Sequence, residues 1–186
     1  MRLANQLDRF YKAGAEVVAL VVDLPERNAA MARRWGIPFP IVSDPGGEHY
    51  LKALGLWNAE ERGGIAVPAL IVIDRDGNEA LRHVSRDFAD RVHDEDVFQA
   101  LERKGYPALD PVPGAWKSEV APAEEAPGAF SPQVYMPLMN GNYFGALALA
   151  RRITDEASLA EVKAHAAMSK SFVDAWKERS AAMKSQ

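Results

Sequence analysis

Val67-Pro68-Ala69-Leu70-Ile71-Val72-Ile73-Asp74-Arg75-Asp76-Gly77-Asn78 carries the strongest structural signal in the chain. Ala69 to Ile73 is an unbroken apolar run rich in β-branched residues, the pattern of a buried strand. Asp76-Gly77 supplies the positive φ angles that a tight connection demands. Glu79 to Val84 therefore reads as an antiparallel return strand. Pro68 has a fixed φ and no N–H, so it suits the opening of such a strand.

The segments before and after extend the pattern. Glu16 to Asp23 is a second Val-rich run without polar alternation, suited to a parallel strand covered on both faces. Pro25 fits the first turn of a helix from about Glu26 to Trp35, and Gly36 ends it. Phe39 to Ser43 is a short strand placed at a sheet edge by Pro40. Asp44-Pro45-Gly46-Gly47 is a turn, followed by a short helix over Glu48 to Leu54 and a loop over 59–66. Leu3, Leu7, Phe10 and Tyr11 stand at helical spacing and end near Gly14. Asp94 is a candidate cap for a helix from Glu95 to Lys104 that carries Val97, Phe98 and Leu101 on one face, with Gly105 beyond its end. The order predicts an α/β sandwich whose last two strands are antiparallel.

Three of these segments, Gly14 to Asp23, Gly36 to Pro45 and Val67 to Gly77, resemble the AhpC/TSA (redoxin, peroxiredoxin-like) branch of the thioredoxin-like superfamily. The resemblance covers about residues 2–104. It implies a thioredoxin-like sandwich in which Val67-Pro68 is the cis-proline loop beside the active site. From the residues alone, a trans proline opening the strand stays open, since most X–Pro bonds are trans. The family begins with a strand and a cysteine-bearing turn ahead of its first helix, whereas this chain opens at Met1-Arg2-Leu3, already at the helix. The resemblance therefore implies a domain lacking the family's first strand and nucleophile turn. That strand lies mid-sheet in the family, between the equivalents of Glu16–Asp23 and Ala69–Asp74. Each buried hydrogen bond left unmade there costs about 1–3 kcal/mol, against a total stability of about 5–15 kcal/mol.

Three resolutions are expected. The chain is an N-terminally truncated form of a longer protein, whose upstream frame carries the nucleophile as cysteine or as selenocysteine encoded by TGA. Or a segment such as Gln133 to Met136, or a strand of another chain, fills the slot. Or the sheet closes with altered pairing.

Chemistry is bounded by one count: there is no cysteine in 186 residues. Disulfides, thiolate metal sites and thiol reactions are excluded within the chain as it stands. A thioether such as that of Met1, which falls where the second family cysteine would stand, has no ionisable proton to replace one. The reading is therefore of a redoxin from a thiol- or selenol-dependent antioxidant oxidoreductase lineage, inactive without its nucleophile. Its alternative is a non-catalytic thioredoxin-fold scaffold or accessory subunit. No catalytic residue, metal ligand or cofactor site is assigned; Val67 and Pro68 are the site residues that the resemblance implies. His49, His83, His93 and His165 show no metal-binding spacing with one another. His165 and Met168, three apart, are a sparse ligand set better read as packing. Asp23, Asp44, Asp74 and Asp76 stand at strand ends and turns, where capping accounts for each.

The remaining residues divide into a connector and a tail. Residues 106–133 hold six of the 12 prolines and read as an extended connector, pinned by Trp116 and Val120. Residues 134–186 read as a helical hairpin, with Thr154 or Asp155 capping its second helix. Leu159, Val162, Ala166, Ser169, Val173 and Trp176 form its stripe, broadened by Phe172. Gly141 and Gly145, one turn apart, let a further helix approach closely. Two readings of the tail stay open: a hairpin packed on its own domain, or a module for homodimer or partner binding. A formal charge of −4 and scattered Lys and Arg give no nucleic-acid footprint. No segment reaches the roughly 20 apolar residues of a membrane span, and no signal-peptide core is visible. The expected location is the cytoplasm.

Overall fold

Apolar spacing, proline and glycine punctuation, and buried aspartates set the elements seen in a computed structural model that describes residues 2–87, 90–124 and 132–184. The described chain falls into two compact units. One runs from residue 6 to 124; the other joins residues 2–5 to 132–184.

The first unit begins with α2 (Leu7–Lys12), whose Leu7, Phe10 and Tyr11 are buried. β1 (Ala19–Val21) follows and pairs in parallel with β2 (Ile41–Ser43). β1 is shorter and less covered than its apolar run predicts, with Val18 58 % exposed. Between them lies α3 (Pro25–Trp35), with Pro25 in its first turn and Gly36 in the left-handed region as its stop. That agrees with the sequence reading.

The helix expected over Glu48 to Leu54 is a run of turns. The Asp44 carboxylate accepts N–H groups from His49, Tyr50 and Leu51 at 3.2, 2.9 and 2.9 Å, and beyond it Lys52 N–H and Leu56 N–H bond five residues back, to Gly47 O and Leu51 O, instead of the helical four. The expected loop over 59–66 contains a small hairpin, β3 (Trp57–Asn58) with β4 (Ile65–Ala66). The Trp57 indole packs against Gly47 and Gly64, both at positive φ. A Cβ on Gly47 would stand 2.5 Å from the indole.

β5 (Ala69–Ile73) and β6 (Glu79–Val84) form the expected hairpin, with a register shift between Val72 and Ile73. Its turn is held by Asp74, which accepts the N–H groups of Asp76 and Asn78 and the ammonium of Lys104 at 2.7 Å. α4 (Asp94–Lys104) ends at Gly105 as expected, but it starts one residue early, with His93 at its N-cap. Asp94 thus sits inside the helix, and its carboxylate accepts from Gln6 Nε2 at 2.6 Å instead of capping. The buried face of α4 brings Phe98 against Phe10, ring centres 4.7 Å apart.

Residues 106–124 contain no helix or strand, as the prolines require. They are strapped to the unit by Leu109 N–H to Tyr11 O, Trp116 N–H to Pro38 O and Ala123 N–H to Glu26 O, each 2.9 Å. Trp116 thus anchors the strap through its backbone, while Val120 remains 45 % exposed. Residues 125–131 of the connector lie outside the described residues, as does Met1.

The second unit is built on the helical hairpin. α5 (Pro132–Ala150) packs along α6 (Glu156–Lys184), with Tyr135 stacked on Trp176 at 5.0 Å. Asp155 caps α6 by accepting the Ser158 N–H at 2.8 Å. Ala166, Ser169, Val173 and Trp176 of the expected stripe are buried. α1 (Arg2–Asn5) belongs to this unit: the Arg2 guanidinium donates to Met168 Sδ, and Asn5 donates to Ala175 O. Gln133 to Met136, considered as a strand, is part of α5. None of the described helices is long and apolar enough to cross a membrane.

Candidate functional site

The sheet of the first unit is interrupted. β1 pairs with β2 and β5 with β6, and no ladder joins β1 to β5. The expectation that the sheet closes by altered pairing is therefore not met among the described residues. Hydrogen-bond phase shows which groups are left over. Ala19 N–H donates to Pro40 O and Val21 O accepts from Asp44 N–H, so Leu20 directs its backbone groups to the opposite edge. Pro68 O accepts from Ser85 N–H, which places Leu70 and Val72 in the bonded pairs and turns Ile71 outward. Two strands of continuous apolar sequence thus each keep one unpaired edge.

Val67 and Pro68 stand at the start of β5, half-buried. Val67 N–H donates to Leu56 O at 2.8 Å and Pro68 O accepts from Ser85 at 2.8 Å. The cis peptide bond among the described residues is Asp110–Pro111, so Val67–Pro68 is not cis, contrary to what the resemblance implied. Its physical setting is that of a proline opening a strand: the carbonyl extends the β5–β6 ladder by one pair, and the trans form carries the usual preference of about 0.5–1 kcal/mol.

Across the ladder lies a polar cluster that the sequence reading missed. Ser85 is 4 % exposed and its hydroxyl accepts from Arg91 Nη1 at 3.3 Å. Asp90 accepts the backbone N–H and the Nε of Arg86, each at 2.8 Å. These bonds hold the Asp90 carboxyl well below its ordinary value, at about 2. His83 Nε2 lies 3.4 Å from Asp90 O. The signal available was the alternation of charge in Ser85-Arg86-Asp87, followed by Asp90-Arg91.

The sequence-highlighted carboxylates do not converge. The side chain of Asp23 is exposed, and its carbonyl accepts from Asn28, whose amide also donates to Ser43 Oγ at 2.7 Å. Burial alone would raise the Asp44 carboxyl, but its three backbone donors hold it below the usual range. The Lys104 ammonium, with the turn N–H groups, does the same for Asp74. Asp76 is exposed in its turn. His49 and His93 are exposed, and Met168 Sδ is engaged by Arg2. Among the described residues no three His, Asp or Glu gather as metal ligands.

The resolved shifts run away from neutrality: carboxylates go down, Lys104 and Lys170 go up, and burial raises Tyr11 and Tyr135. A general acid or base tuned for neutral pH shows the opposite direction. Among the described residues the Ser85–Arg91 and Arg86–Asp90 contacts brace the end of β6. No curated protein matches the chain. Residues 1–81, from α1 into β6, match the model of the AhpC/TSA family. Its β–α–β segment and its β5–β6 hairpin lie in the same residues as that match, so residues 1–81 are similar to the AhpC/TSA redoxin family of the thioredoxin-like superfamily.

Proposed function

We propose that this chain is the redoxin domain of a thiol- or selenol-dependent antioxidant oxidoreductase lineage, and that its 186 residues do not themselves reduce peroxides or disulfides. One observation carries the reading: an AhpC/TSA segment without a single cysteine. Peroxide reduction requires a thiolate or selenolate to attack one peroxide oxygen; the O–O bond breaks, hydroxide leaves, and the nucleophile is left as a sulfenic or selenenic acid for a thiol to restore. No side chain here replaces it. In an N-terminally extended form, the nucleophile would precede the first helix, with its strand between the open edges of β1 and β5. Val67-Pro68 would form the wall beside it, and the Ser85–Arg91 pair would brace that wall from across the ladder.

The test compares peroxide consumption, with a dithiol reductant, by the 186-residue chain and by a form extended through the upstream reading frame. Turnover confined to the extended form supports the proposal. Inactivity of both forms favours the second reading, a scaffold or accessory subunit that binds through its helical tail. A specific observation favours that alternative: α5 leaves a whole apolar side uncovered, with Val134, Leu138, Phe144 and Leu149 between 42 and 63 % exposed.

A further inference from the structure

The proline-rich strap leaves a cleft beside β2 and α3. It is tied down at two points, Trp116 N–H to Pro38 O ahead of β2 and Ala123 N–H to Glu26 O in the first turn of α3. Between these ties residues 117–122 make no hydrogen bond to β2 or α3 among the described residues. The cleft that remains encloses about 330 Å³, at the lower end of the range of small-molecule sites.

Two of its lining residues are more than nine-tenths buried and keep unused hydrogen-bonding groups. Asn28, 3 % exposed, spends its Nδ2 on Asp23 O and Ser43 Oγ at 3.1 and 2.7 Å, while its Oδ1 accepts nothing among the described residues. Ile41, 8 % exposed, opens β2. Ala19 N–H donates to Pro40 O and Asp44 N–H donates to Val21 O, so Val42 serves the β1 ladder and Ile41 turns its backbone groups away from it. The Ile41 N–H has no partner among the described residues. Buried polar groups are normally paired, and one unpaired acceptor beside one unpaired donor in a single cleft points to a bound molecule.

We propose that this cleft binds a small, uncharged aromatic carboxamide. The half-buried Trp116 ring, with Pro25 and Val120, supplies flat apolar walls for a ring. A primary carboxamide carries the pair of groups that the polar positions lack: its NH₂ donates to Asn28 Oδ1 and its C=O accepts from Ile41 N–H. Lys117 and Glu119 line the same cleft with opposite charges, which selects neither an anion nor a cation. The proposal does not rest on the redoxin reading, because it uses none of the residues assigned to that site.

Titration of the full chain with benzamide, followed by amide NMR, is the test. Saturable shifts are expected at the Ile41 N–H, the Asn28 side-chain amide and the Trp116 indole, with a Kd on the order of 1 mM for a ligand of that size. N,N-Dimethylbenzamide, which has no donor, is expected to bind about tenfold more weakly, the worth of one hydrogen bond to a buried group. Benzoate is expected to fall with it. Val120→Trp, a change at a position 45 % exposed, fills the cleft and is expected to abolish the shifts with the melting temperature unchanged. Shifts that do not saturate up to 10 mM, or equal affinity for benzamide and N,N-dimethylbenzamide on the unaltered chain, overturn the proposal and leave the cleft to water. Undiminished binding by Val120→Trp overturns it as well.

Discussion

The two units of this chain are unfinished in different ways. In residues 6–124 the groups left over are backbone: Leu20 and Ile71 turn N–H and C=O groups away from the ladders their strands make among the described residues. In the α5–α6 hairpin the backbone is helical, interrupted as a donor at Pro137, and what is left over among the described residues is side chain, on the outer face of α5. A bare strand edge asks for another strand, because only an extended backbone satisfies its donors and acceptors. A bare apolar helix face accepts any surface of complementary shape. The difference teaches that what is left over in one unit is strand edge, whereas in the other it is a side-chain surface.

The largest expected effect separates the units. Phe98 is 2 % exposed and packs on Phe10, with the Arg9 guanidinium 3.7 Å over its ring. Phe98→Ala removes the centre of the α/β core and is expected to cost about 3–5 kcal/mol, read as a lowered urea midpoint. The helical signal of α5–α6 should outlast it. Loss of both in one transition would show the units to be a single cooperative body.

Next in size is Gly47→Ala. The new methyl would press on Trp57 from a position of φ +69, and the expected loss is about 1–3 kcal/mol. A neutral result would mean that the indole moves aside at no cost and that the β3–β4 hairpin does not brace the turns beside it.

How much of this was legible follows the same division. Punctuation read directly: Pro25 at a helix start, Gly36 and Gly105 in left-handed caps, Asp76-Gly77 in a hairpin and Asp155 at the start of α6 all stand where local stereochemistry puts them. The misreadings have separate sources. Asp94 is drawn to Gln6, while the run 48–54 closes bonds five residues back, Lys52 N–H to Gly47 O and Leu56 N–H to Leu51 O, rather than four. β3 and β4, two residues each, are too short to leave a period. The candidate site was legible as an absence, through the missing cysteine. The Ser85–Arg91 pair left only the charge alternation around it as a signal, because its contact joins a strand end to a residue six positions on.

Acid sharpens the picture of the α/β unit. Asp90, held at about 2, and Asp44 and Asp74, held below their usual range, all favour the folded state in their charged form. Their contribution is present above the ordinary Asp value near 4 and is lost as pH falls through the lowered folded values. The urea midpoint of the α/β unit should therefore drop between about pH 4 and pH 2, and Asp90→Asn should flatten part of that drop. An unchanged slope in the variant would disprove the role given to Arg86.

The smallest effect belongs to the hairpin. Ser169 is fully buried and its hydroxyl has no hydrogen-bond partner among the described residues. Ser169→Ala is expected to be neutral or stabilising by up to about 1 kcal/mol. A clear loss of stability would reveal a partner for the hydroxyl in solution.

Native-state hydrogen exchange reads the unfilled strand edges themselves. Ala19 and Leu70, which face β2 and β6, should be protected, while Leu20 and Ile71 exchange at rates close to those of an unstructured chain. Equal protection at all four amides would mean that both edges are already paired, and the account of an incomplete redoxin sheet would be wrong.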